Sequence, residues 1–174
     1  GGDGVAFFSA AHPTVSAGVQ SNLAAAADLS EAALETIITN IQKIKDDRNI
    51  LIGASAVSLH IPPDLWSTAD QILHSPGTTV AGGTGDGTYA QNNINAIRHM
   101  GMIPEGFFVN RRFTDTNNYY IKTDVPNGAK MFVRVPLQTK MEPDFDTGNL
   151  RFKARERYSF GFSDWRSYFG SQGS

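Results

Sequence analysis

The chain has 174 residues, 40% of them hydrophobic and 18% charged, with a formal net charge of −2 and no cysteine. That length and balance suit one globular domain or two small intertwined ones and exclude a disordered chain. Disulfides and thiolate metal sites are excluded too, and no apolar run approaches the ~20 residues of a membrane helix.

Charge is unevenly spread. Residues 1–109 carry four Lys/Arg against ten Asp/Glu, a balance of −6, and residues 110–174 carry eleven against seven, a balance of +4. Such asymmetry suits surfaces that meet copies of themselves, or a polyanion on one side.

Residues 1–27 are rich in Gly, Ala and Ser and read as mostly irregular, with a short strand in DGVAFFSAAHP (3–13) ended by Pro13. Asp28, with Glu31 three residues later, has the form of a capping box. Leu34, Ile37, Ile38, Ile41 and Ile44 follow at helical spacing and predict an amphipathic helix over roughly 29–45. AVSLHI (56–61) alternates as a strand, with Val57, Leu59 and Ile61 on one side, and Pro62 and Pro63 end it. Proline is tolerated in a first helical turn, so Pro63 or Asp64 opens a second helix, with Leu65, Trp66, Ala69, Ile72 and Leu73 as its apolar stripe. Residues 75–90 form a glycine-rich loop, of a length that is usually functional or mobile. Asn92 to Met100 predicts a short helix.

From there the chain turns strand-like. FFVNRRF, NYYIKTDV, AKMFVRVPL and LRFKARERYSFGF alternate, with turns at TDTNN, PNG and DFDTGN. Helices first and strands after make an α+β pattern, not a regular βαβ alternation.

Chemistry is sparse. There is no GxSxG elbow, and His12, His60, His74 and His99 lack the HExxH spacing of a zinc helix, so they read as polar residues at element edges. GGTGDG (82–87) fits neither phosphate-loop spacing and has no following Lys, which leaves a flexible loop. Glu142, Asp144 and Asp146 resemble the start of a calcium loop without its remaining ligands, and a hairpin turn is the better reading. No catalytic residue, metal site or cofactor is expected, and the chain does not read as an enzyme.

The strongest signal lies between Leu150 and Ser171. Arg151, Lys153, Arg155 and Arg157 would share one strand face; Leu150, Phe152, Ala154, Tyr158, Phe160 and Phe162 would share the other, interrupted by Glu156. Trp165, Tyr168 and Phe169 follow. The aromatics lie opposite the cations, so the apolar side is expected to pack a core and the basic side to face solvent, a neighbouring subunit or a nucleic acid.

IPPDLWSTADQIL (61–73), YYIKTDVPNGAKMFVR (119–134) and EPDFDTGNLRFKARERYSFGFSDWRSYFGS (142–171), with DGVAFFSAAHP (3–13), resemble the C-terminal half of tailed-phage major capsid proteins of the HK97-type fold, in its Mu-like and prophage head-subunit branch. The resemblance implies that the chain, which opens on Gly1 and not Met, starts after the arm, extended loop and spine helix of that fold. Residues 1–27 would be a leading segment, 28–125 the axial domain, 126–157 strands of the peripheral domain, and 158–174 a return to the axial domain. The implied function is a structural shell protein of the virion. Copies would form pentamers and hexamers of an icosahedral capsid assembled in the host cytoplasm around double-stranded DNA, with scaffolding, portal and decoration proteins as further partners, and no membrane. Arg151, Lys153, Arg155, Arg157, Trp165, Tyr168 and Phe169 are the candidate interface residues, with the three aromatics as anchors of the axial domain or of an interface. Glu156 is expected to pair with a cation. Some relatives cross-link subunits through a Lys and an Asn helped by a Glu. Asn149 lies near the Asn position, but Arg155 stands at the Glu position with Glu156 beside it, so cross-linking is not expected. The alternative is a nucleic-acid-binding or interaction domain that uses the basic face 151–157.

Overall fold

The computed structural model describes residues 3–16, 18–79 and 92–173. In chain order these form β1 (His12–Pro13), β2 (Val19–Gln20), α1 (Glu31–Gln42), β3 (Ala56–Ile61), α2 (Trp66–His74), β4 (Gly77–Thr79), β5 (Asn92–Ile94), α3 (Ala96–His99), β6 (Phe107–Val109), β7 (Tyr119–Thr123), β8 (Ala129–Pro143), β9 (Leu150–Phe162) and β10 (Tyr168–Ser171). The chain is a mixed α+β structure.

A four-stranded sheet in the order β10-β7-β3-β6 organises the body. β10 and β3 flank β7 antiparallel, while β6 runs parallel to β3 at the edge. Register puts Leu59, Ile121 and Phe169 side by side across three strands. They join Leu34, Ile37, Ile38 and Ile41 of α1, and Ala69 and Leu73 of α2, in one core. Burying each large apolar side chain contributes roughly 1.5–3 kcal/mol. The predicted alternation of β3 meets its register but not a simple inside and outside. Ser58 is as buried as Leu59, because this central strand is covered on both faces.

α1 begins later than the sequence implies. Its N-cap is Ser30, not Asp28; the Ser30 side chain accepts a hydrogen bond from the Ala33 amide, and Glu31 occupies the first turn, where the helix dipole favours an acid. The helix closes at Gln42, short of 45. Pro63 opens a 3-10 turn (Pro63–Leu65) that runs into α2, as the double proline predicts. Trp66 departs from its expected stripe: it is 58% exposed, because it sits where the 3-10 turn hands over to the α-helix. The helix expected over 92–100 is only Ala96–His99, capped by Asn95; residues 92–94 pair instead with β4. Most of the glycine-rich loop, including GGTGDG, lies outside the described residues.

The leading segment is not loose. Phe8 packs on Tyr120 at 4.8 Å, and Phe7 on Phe162 and Tyr168 at 4.6 and 5.7 Å, on the sheet face opposite Leu59 and Ile121. Gly170 makes this approach possible: a Cβ there would lie 2.8 Å from the Tyr120 ring and 3.1 Å from Phe8. Pro13 lies within the two-residue strand it was expected to end, paired with Val19. No helix among the described residues is long and apolar enough to cross a membrane.

Candidate assembly surface

β8 and β9 form a two-stranded antiparallel hairpin apart from the central sheet. Its base is the PNG turn, where Asn127 takes the left-handed conformation at φ 67°. Its tip is the turn at 144–149. There Asp144 accepts from the Thr147 hydroxyl and from Arg151, both at 2.7 Å, and its carbonyl accepts from the Gly148 amide at 2.9 Å. Asp144 thus organises a hairpin turn, the role preferred for this stretch from sequence. Phe145 at the tip is fully exposed.

The strands are unequal, 15 residues against 13. The register shifts between Val133 and Val135 and again between Val135 and Gln138, so β8 carries the two extra residues. Pro136 lies in the second shift, and a residue with no N–H to give to the ladder is tolerated at such a bulge. β9 itself runs without a bulge, so its alternation survives intact. Met131, Val133 and Met141 stand opposite Phe160, Tyr158 and Phe152 on one face. Val135, Gln138, Lys140 and Glu142 stand opposite Arg157, Arg155, Lys153 and Arg151 on the other. The two-faced pattern read from the sequence is therefore real.

What covers it differs from expectation. The apolar face was expected to pack a core of the same chain, yet Phe152 is 64% exposed, Phe160 74% and Leu150 66%. Among the described residues the body meets this face only at its base, where Phe7 packs on Phe162, and leaves it bare from Leu150 to Phe160. Glu156 is exposed and makes no ion pair among the described residues, so the burial cost that was to demand a partner is absent. On the basic face Arg151 pairs with Asp144, and Lys140 pairs with Glu142. Lys153, Arg155 and Arg157 are exposed, with no acidic partner among the described residues. An isolated two-stranded hairpin is marginally stable in water. One with a bare apolar face of this length is a surface suited to association.

The three aromatics after the hairpin fall elsewhere. Trp165 and Phe169 are 6% and 3% exposed inside this chain, which leaves little of either for a neighbour. Tyr168 is half-buried beneath Phe7. The structure thus brings together Arg151, Lys153, Arg155 and Arg157 and separates them from Trp165, Tyr168 and Phe169. The sequence reading missed the partners of the buried C-terminal turn. Arg166 is 7% exposed, donates to Asp47 at 2.6 Å and Asp164 at 3.4 Å, and lies over the Trp165 ring at 4.6 Å. Asp47 is too distant in sequence for any local pattern to announce that pair. Among the histidines, His60 is half-buried on β3; burial, with Lys122 nearby, pushes its imidazole below the ordinary value, against a weaker opposite pull from Glu105.

A search of curated proteins found no match. The family model described as phage capsid protein matches residues 2–169, which span both the body and the hairpin. Proteins of that family are structural components of the virion shell and not enzymes, and their role entails self-association. This chain belongs to the phage capsid protein family.

Proposed function

We propose that the chain is a major capsid protein of the HK97 type whose copies form the pentamers and hexamers of an icosahedral shell around double-stranded DNA, with the hairpin as the element that joins subunits. The observation that carries this reading is the hairpin's bare apolar face, from Met131 and Phe160 near its base to Met141 and Phe152 near its tip. In a shell that face is buried against a neighbouring copy, and each large side chain covered there contributes roughly 1.5–3 kcal/mol. Lys153, Arg155 and Arg157 then set register by meeting acidic surface, of which residues 1–109 have an excess. Residues 28–125 and 158–174 serve as the axial domain and 126–157 as peripheral strands; scaffolding, portal and decoration proteins complete the partner set.

Electron microscopy of wild-type and variant protein tests it. Phe152→Ser with Phe160→Ser, and separately Arg155→Glu with Arg157→Glu, should leave folded, soluble subunits that build no closed shells. Normal shells from both double variants would exclude the hairpin from assembly. The second reading, a nucleic-acid contact, is favoured by the three cations without acidic partners at alternate positions on one strand. Duplex-DNA binding by unassembled subunits, falling steeply with salt and abolished by the Arg155/Arg157 reversal, would favour it over the first.

A further inference from the structure

His12 is fully buried, and both of its ring nitrogens face acceptors. Nδ1 lies 2.7 Å from Asp3 Oδ2, and Nε2 lies 3.1 Å from Asn22 Oδ1. The orientation of the Asn22 amide is fixed by its other partners. Its oxygen accepts from the Ser9 amide at 2.9 Å, and its nitrogen faces the carbonyls of Phe7, Trp165 and Tyr168 at 2.7, 3.1 and 3.0 Å. Turned over, that side chain would set its oxygen against three carbonyls and lose Ser9. Nε2 must therefore carry a hydrogen to bond Asn22, and Nδ1 must carry one to bond the Asp3 carboxylate. The ring is also stacked on the Trp165 indole at 4.3 Å with 2° between planes, a face that favours a cation.

We propose that Asp3, His12 and Asn22 form a proton-operated latch that fastens the leading segment to the last strand of the body and opens when the His12 ring loses one proton to solvent. The proton lost is the one on Nε2. The Asp3 carboxylate is the stronger acceptor and retains Nδ1–H, so a bare Nε2 lone pair then faces the Asn22 oxygen. That repulsion strikes the residue through which residues 7, 9, 165 and 168 are joined. The charged groups around the ring are few. Asp3 faces it directly. Arg166 lies over the same indole and is countered by Asp47 and Asp164, while the Lys45 carbonyl, not its charge, accepts from Arg166. Asp3, Asp47 and Asp164 line a cleft beside Trp165, so solvent comes close to the ring on its Asp3 side. Burial alone would push the Asp3 carboxyl up, but its bonds to His12 and to the Val5 amide bring it below the ordinary value, so it stays ionised while the latch works.

Hydrogen exchange of the full chain, followed by mass spectrometry over a pH series, tests this. Each protection value for residues 5–13 is divided by that of His12→Gln at the same pH, which removes the intrinsic pH dependence. The ratio should fall about tenfold as pH rises through the ring's deprotonation, while β3 amides keep their protection; a tenfold change corresponds to about 1.4 kcal/mol. Asp3→Asn removes the charge that retains the proton, so its fall should come at lower pH than in wild type. A ratio that stays flat, a fall that β3 shares, or an Asp3→Asn midpoint equal to wild type would overturn the latch. Should His12→Gln fail to fold, the Asp3→Asn midpoint against wild type decides alone.

Discussion

The body and the hairpin are built from similar strands and end in opposite situations. β7 and β9 both alternate along their length. In β7, Tyr119, Ile121 and Thr123 are buried; in β9 every residue from Leu150 to Phe160 is exposed. Alternation states which side chains share a face, and it is silent on what covers that face. β7 lies between two other strands, with helices closing one side and Phe7 and Phe8 reaching the other. β9 has a single partner strand, so both of its faces are left open from Leu150 to Phe160.

Substitutions should separate the two regions sharply. Leu59→Ala in β3 empties a fully buried site and is expected to cost about 2–5 kcal/mol in denaturant unfolding. Phe152→Ala removes a larger side chain but should move the same unfolding curve by no more than about 0.5 kcal/mol, because it is 64% exposed and stands opposite Met141 on a two-stranded hairpin, outside the core. A large loss at Phe152 would mean the hairpin is held by the body after all. Next in size is the N-cap: Ser30→Ala should destabilise by about 1 kcal/mol and leave the hairpin's proteolytic sensitivity unchanged. The smallest effect concerns pH. His60 has its folded value lowered from 6.5, so the stability it contributes is complete above pH 6.5 and is lost as pH falls from there through the lowered folded value. His60→Asn should flatten that part of the pH–stability curve for the body and alter nothing in the hairpin.

Much of the fold was legible. The periodicity of residues 34–41, the double proline after β3 and the turn residues at 126–128 and 144–149 each act locally, and the elements they predict are present. Local signals also misled. Asp28 offered as good a cap as Ser30, and Asn92 to Met100 held too few apolar positions to distinguish a strand–turn–helix from one helix. The two faces of β9 were readable because the strand carries no bulge. Their exposure was not, since it depends on what the rest of the chain does with its own apolar surface. The contacts joining residues 3, 12 and 22, and 47 and 166, were out of reach for a simpler reason: they run through polar atoms outside any one helix or strand, and polar atoms leave no periodic trace.

The inequality of the two strands has one more consequence. Thirteen residues at about 3.3 Å each make β9 about 40 Å long from end to end. Such an arm works as a lever. A turn of about 10° at its base beside Phe162 sweeps Phe145 through about 7 Å, more than one residue step along a strand. The added twist of the bulge around Pro136 falls partway along that arm. The part of the arm beyond Pro136 is therefore turned relative to the part beside Phe162.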